Sequence, residues 1–170
     1  WAISATAQME SDSIAAGIST IDDWFSSEYA IDCDMYDLGC VGGNPESAWF
    51  WYFKSGGAVY ASDYGAGTVD IESAYKGDPD YTMDCREPSG DKVSIPTAFT
   101  TLKDEEDMKN YVLSTGPLSV CYADSTILEY TNGIVSDCPT DIEPDHCSTI
   151  VGYSEEGGIP HWIVRNSWGA

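Results

Sequence analysis

Asp145-His146-Cys147-Ser148-Thr149-Ile150-Val151-Gly152-Tyr153 is followed, after a short polar gap, by His161-Trp162-Ile163-Val164-Arg165-Asn166-Ser167-Trp168. The β-branched and aromatic residues predict strands over Ser148–Tyr153 and His161–Asn166. A hairpin pairing these strands brings His146 close to Asn166. A nucleophilic peptidase needs a nucleophile, a general base and a group that orients the base. An Asn can accept the imidazole N–H while staying neutral, which turns the ring toward a nucleophile. Trp168, two residues on, can shield that bond, and dry surroundings strengthen it. Spacing alone leaves the ordinary reading open as well: a structural His beside a strand, a turn-forming Asn and a solvated loop acid at Asp145.

Upstream of this hairpin the chain is mostly helical. Ile3, Ala7, Ile14 and Ile18 give Trp1 to about Ile18 an apolar face at mixed three- and four-residue spacing. Ser26 is a cap candidate for a second helix to about Asp32. The turn Gly39-Cys40-Val41-Gly42-Gly43-Asn44-Pro45 leads into a helix that starts at Pro45 and runs to about Lys54, stopped by Gly56-Gly57. Ala58 to Pro96 is loop-rich, and a loop of that length is functional or pinned by cross-links. Asp104 to Ser114 predicts a helix with an acidic start, where the dipole favours negative charge. Leu118 to Tyr122 predicts a strand. Helices first and strands later indicate an α+β fold with a segregated helical half.

The 170 residues carry 7 basic and 29 acidic side chains, a net charge of −22. That excludes the basic footprint of a nucleic-acid binder and disfavours anionic membrane surfaces. With 42% apolar and 12% aromatic residues the chain is globular, not a disordered acidic tail. The self-repulsion of so many carboxylates would be relieved in an acidic compartment. No apolar run reaches membrane-spanning length. The six cysteines lack paired Cys-x-x-Cys spacing and there are two histidines, so disulfides of an oxidising or secretory route are expected, not a metal site. The chain opens at Trp1 without Met, as a processed or incomplete chain would.

Four blocks, in order, resemble the papain-like cysteine peptidases, and the cathepsin L-like branch in particular. Trp1-Ala2-Ile3-Ser4-Ala5-Thr6-Ala7-Gln8-Met9-Glu10-Ser11 resembles the segment just after the catalytic Cys, whose family motif is Cys-Gly-Ser-Cys-Trp-Ala-Phe-Ser. Asp32-Cys33 and Gly39-Cys40-Val41-Gly42-Gly43-Asn44-Pro45 resemble the Asp-Cys and Gly-Cys-Asn-Gly-Gly segments. Asp145-His146 with Val151-Gly152-Tyr153, and Asn166-Ser167-Trp168-Gly169, resemble the His and Asn motifs. In that family His and Asn lie roughly 130–150 residues beyond a Cys near the mature N-terminus. Counted from just before Trp1, His146 falls inside that window and Asn166 somewhat past it.

The resemblance implies a two-domain α+β fold, with a helical domain over 1–96, a strand-rich domain over 97–170 and a cleft between them. It implies His146 and Asn166 as catalytic residues, with Trp168 covering them. The nucleophilic Cys and an upstream Gln would precede Trp1, and further strands would follow the last residue. The sequence thus looks like the middle of a longer peptidase, inactive by itself. Gly42 and Gly43 would pair with an extended substrate through their backbone; Asn44, Pro45, Cys121, Asp145 and Cys147 would complete the substrate-binding site, its second subsite apolar. Cys33 would pair with Cys85, and Cys121 with Cys147 in an extra disulfide, the alternative being two buried thiols. Cys40 and Cys138 would pair with cysteines outside this sequence. No metal or other cofactor is implied; the expected partners are peptide or protein substrates, a pro-region and protein inhibitors, for a monomer in a lysosome or vacuole or outside the cell. No dipeptide-releasing blocking loop stands beside Cys40 to Pro45, which favours an endopeptidase. The segment 58–69 is longer than in the family, without a functional account. The alternative is a catalytically inactive homologue serving as a binding or structural scaffold.

Overall fold

A computed structural model describes residues 1–64, 85–95, 99–138 and 140–168. The chain divides into two compact units, Trp1–Thr101 and Leu102–Ala170. The boundary expected at Pro96 lies outside the described residues, as does most of the long segment from residue 65 to residue 84 and the end of the 58–69 loop. Among the described residues, no helix is long and apolar enough to cross a membrane.

The first unit packs α1 (Ala2–Ala15), α2 (Ser27–Cys33) and α3 (Pro45–Ser55), with a short α4 (Ala61–Tyr64) in the stretch expected to be loop. α2 and α3 have side-chain caps, the first at the Ser26 expected from the sequence. Ser26 Oγ accepts from Tyr29 N–H (3.1 Å), and Asn44 Oδ1 from Glu46 N–H (2.8 Å) with Pro45 at the first helical position. Gly56, with φ of 96°, ends α3 in a left-handed conformation. A Cβ on Gly57 would lie 2.0 Å from the Val93 carbonyl oxygen. Only glycine therefore lets Ala58 pair with Val93 and draw residues 85–95 onto the helices.

The apolar face expected for α1 is wrong. Ile3 and Ile14 are 51% and 41% exposed, whereas Ala2, Ala5 and Met9 are buried along with Ser4, Thr6, Gln8 and Ser13. Small and polar residues thus make up much of the buried side of α1, and the isoleucines face outward. Local bonds settle part of the polar burden, as when Thr6 Oγ1 donates to the Ala2 carbonyl (2.7 Å). The core joins these residues to Phe25, Tyr29, Trp49, Trp51, Tyr52, Val59 and Tyr64. Tyr52 is fully buried and its hydroxyl donates to the Ser26 carbonyl (3.1 Å); burial pushes its phenol far up, so it stays neutral.

The Cys33–Cys85 bridge fastens the far end of the long segment to α2. Around it, the Tyr64 hydroxyl donates to the buried Asp32 carboxylate (3.1 Å). Arg86 lies 3.7 Å from the same carboxylate and 4.8 Å over the Tyr64 ring.

The second unit holds α5 (Glu105–Ser114) and an antiparallel sheet of β1 (Leu118–Tyr122), β2 (His146–Ser154) and β3 (His161–Arg165), in the order β1-β2-β3. Asp104 Oδ1 caps α5 by accepting from Glu106 N–H (2.8 Å), and Glu105, Glu106 and Asp107 fill its first turn. Beta strand β2 starts two residues earlier than the sequence suggested, so His146 is itself part of the sheet.

Candidate active site

His146 opens β2 opposite Tyr122 at the end of β1. The β2–β3 ladder pairs Ser154 with His161, Tyr153 with Trp162 and Thr149 with Arg165, with an irregularity between Ile150 and Gly152. Asn166 directly follows β3, so the hairpin delivers it to the imidazole. His146 Nε2 lies 2.8 Å from Asn166 Oδ1. The orientation of the amide is fixed independently, because the Ser167 backbone N–H donates to that same Oδ1 (2.8 Å) and only an oxygen can accept it. Nε2 therefore carries the proton in this pair, which leaves Nδ1 for a reacting group.

Aromatic rings flank the imidazole. Trp168 lies at a centroid distance of 4.5 Å and an angle of 41°, and Tyr122 meets it edge-on at 5.7 Å. Trp168 is itself 53% exposed, a lid with one wet face. Asp145 is not idle: its Oδ1 accepts the Asp124 backbone N–H (2.7 Å), tying the turn after β1 to the residue before His146.

Cys121 and Cys147 face each other across β1 and β2 and are bridged, with Cα atoms 4.1 Å apart. By strand alternation this bridge lies on the sheet face opposite His146. Cys138 is an exposed thiol, and Cys40 lies half-buried on the turn Gly39–Val41.

The glycine turn is in the first unit. The Trp1 indole N–H donates to the Gly39 carbonyl (3.0 Å), and Leu38 N–H to the Gly42 carbonyl (2.9 Å). Gly43 is held against Trp1 and Asp37: a Cβ there would come 2.5 Å from the indole and 2.8 Å from the carboxyl carbon. Asp37 accepts from Asn44 N–H (2.9 Å) and from the Ser47 hydroxyl (2.7 and 2.8 Å). Just before the turn in sequence, Asp34 is fully buried. Burial, with hydrogen bonding to and repulsion from Asp37, raises its pKa to about 7, against the pull of the Tyr36 N–H. Asn44 and Pro45 have structural duties here: the Asn44 side chain is the cap of α3, and Pro45 is buried as its first residue.

The whole chain, residues 1–170, matches the model of the papain family cysteine proteases. The chain belongs to the papain family. It is 30% identical over 171 residues to a viral cathepsin of Heliothis zea nuclear polyhedrosis virus, an alignment covering 99% of this chain and 42% of that protein. It is 32% identical to cysteine proteinase A of Leishmania mexicana, covering 100% and 45%, and 29% identical to mouse cathepsin O, covering 100% and 52%. Among solved structures, digestive procathepsin L2 from the larval midgut of Tenebrio molitor superimposes with a TM-score of 0.80 at 26% identity, covering 99% of this chain and 51% of that one. The chain thus spans about half the length of these relatives and has their α+β papain fold.

Two members of the His146 neighbourhood were missed in the sequence. Ser148 Oγ lies 3.1 Å from His146 Nε2 and 3.3 Å from Asn166 Oδ1, and the Tyr122 hydroxyl lies 2.9 Å from Ser148 Oγ. The signal was available: in a strand, a residue two positions after His146 shares its face, and Ser148 is a hydroxyl where β2 turns apolar.

Proposed function

We propose that the intact protein is a cysteine endopeptidase in which His146 and Asn166 serve a nucleophilic thiolate supplied by a Cys directly before Trp1. The observation that carries this reading is the 2.8 Å His146–Asn166 pair beside Trp168. As imidazolium, His146 stabilises the thiolate, which is the reactive form of the thiol. The thiolate attacks the scissile carbonyl carbon. His146 then gives its Nδ1 proton to the departing amine, the C–N bond breaks and a thioester remains. A water whose proton returns to Nδ1 hydrolyses the thioester and releases the acid. Asn166 keeps the ring in the useful tautomer throughout. These steps call for no metal or other cofactor.

Gly42 and Gly43 offer backbone to an extended substrate, as in strand addition. Asn44, Pro45, Cys121, Asp145 and Cys147 complete substrate binding, with an apolar residue preferred in the second subsite. The helical domain is taken as 1–96 and the strand-rich domain as 97–170. Two disulfides and a charge of −22 suit a lysosomal, vacuolar or secreted monomer, with a pro-region and protein inhibitors as partners beside its substrates. A base without its nucleophile cannot start acyl transfer, so the 170 residues alone are expected to be inactive.

The test is cleavage of a peptide with an apolar residue in the second position before the scissile bond, using the intact protein under thiol reductant. His146→Ala is expected to lower kcat by at least about a hundredfold, the scale of a lost general base, and a thiol-alkylating reagent to abolish turnover. Activity that survives both, or thiol-blockable activity in the 170-residue chain, overturns the assignment.

A further inference from the structure

The hydroxyl of Ser148 lies within hydrogen-bond reach of the imidazole, the orienting amide and the Tyr122 phenol, at 3.1, 3.3 and 2.9 Å, and only 3% of Ser148 is exposed. We infer that Ser148, backed by Tyr122, is a positioning residue that fixes the His146–Asn166 pair. The inference rests on the peptidase reading of that pair.

The proton count settles the directions. Nε2–H of His146 and N–H of Ser167 both point at Asn166 Oδ1. The single proton of Ser148 also goes to Oδ1. Its lone pairs then accept from the Tyr122 hydroxyl and share the Nε2–H. The amide oxygen thus collects three donors, and turning the amide over would set its nitrogen, which cannot accept, against the Ser167 N–H. Both acceptors near Nε2, the amide oxygen and the Ser148 lone pair, favour a proton on that nitrogen. Ser148 therefore acts through Asn166 and the imidazole and need not touch substrate. Tyr122 fits the same role, since it is the cross-strand partner of His146 and its ring also stands edge-on to the imidazole. The charged group nearest in sequence, Asp145, is engaged with the Asp124 backbone.

The experiment is proton–nitrogen NMR of histidine-labelled 170-residue chain, reading the His146 tautomer and the solvent exchange of its Nε2 proton. The wild type is expected to show a single Nε2–H tautomer with a protected proton. Ser148→Ala should speed exchange roughly three- to tenfold, the worth of one hydrogen bond, and admit the Nδ1–H tautomer. Ser148→Thr keeps the hydroxyl and should restore both signals; Tyr122→Phe should give a smaller acceleration in the same direction. Backbone spectra confirm the fold of each variant, and if Ser148→Ala disturbs it, Tyr122→Phe and Ser148→Thr carry the comparison. Unchanged exchange and tautomer in a folded Ser148→Ala, or in Tyr122→Phe where that variant stands in, overturn the inference. In the intact protein Ser148→Ala should lower kcat by a similar factor and leave KM in place. An intact protein without peptidase activity but with the NMR pattern intact would sink the peptidase reading and leave the positioning role standing.

Discussion

In Trp1–Thr101, Tyr52, Met9 and Val59 are fully buried and part of a core of more than a dozen residues. In Leu102–Ala170, no residue of α5 is buried, every residue of β1 is only partly covered, and Ile150 is the fully buried apolar residue of the sheet. The two units are held together differently. The helical unit rests on apolar burial, with the Cys33–Cys85 bridge and polar bonds beside it. The sheet unit rests on its ladders, a covalent bridge and side-chain hydrogen bonds, and these are concentrated at His146. Within these 170 residues, the unit with fewer buried apolar side chains carries the candidate catalytic base, set in place by the β1-β2-β3 ladders.

Mutation should separate the two regimes. Tyr52→Ala is expected to cost the most, about 3–5 kcal/mol, for an emptied aromatic site plus a lost bond to the Ser26 carbonyl. Denaturant unfolding measures it, and a loss no larger than that of Ile150→Ala would erase the contrast between the units. Next come the bridges. The Cys33–Cys85 link closes 52 residues and the Cys121–Cys147 link 26. On loop entropy alone, the doubled length makes loss of the former about 0.6 kcal/mol worse. Double Cys→Ser variants compared by unfolding would show this order, and a reversed order would mean that the sheet depends on its bridge more than chain entropy explains.

A third test uses pH. Asp34 holds its proton more tightly folded than an ordinary carboxyl with its value of 3.8, with a folded pKa of about 7. Its stabilising contribution is complete below 3.8 and is lost as pH rises through about 7. Thermal melts should therefore show the helical unit losing stability across that window. Asp34→Asn should flatten the slope; an unchanged slope would assign it to the general repulsion of the acidic chain. The smallest effect compares two caps. Ser26→Ala at a buried cap should cost about 1 kcal/mol, and Asp104→Ala at an exposed one about half that.

Local signals were the legible ones. Ser26, Asn44-Pro45, Gly56 and Asp104 mark helix ends by chemistry that acts within a few residues, and the structure puts the ends there. The β-branched and aromatic runs around Ile150 and Ile163 pointed to the hairpin, and with it to the meeting of His146 and Asn166. What stayed hidden depends on distant partners. The buried side of α1 was misread because small Ala2 and Ala5 line it, while isoleucine spacing registers only hydrophobicity. Short α4 was hidden in a glycine-rich neighbourhood. Ser148 could be placed on the His146 face from the sequence, but its meeting with Tyr122 needs the register of β1 against β2, which no local pattern states.

That register has a particular guardian. In a strand of period two, sliding β2 by one residue along β1 would turn His146 to the wrong side of the sheet and present Cys147 in its place. Among the described residues, a sheet with Ile150 as its one fully buried apolar side chain opposes such an error only weakly. The bridge between Cys121 and Cys147 removes it outright, because the two cysteines are directly opposed only in the correct alignment. The bond one residue from His146 is thus a proofreading device: once closed, it permits a single answer to the question of which way the imidazole faces.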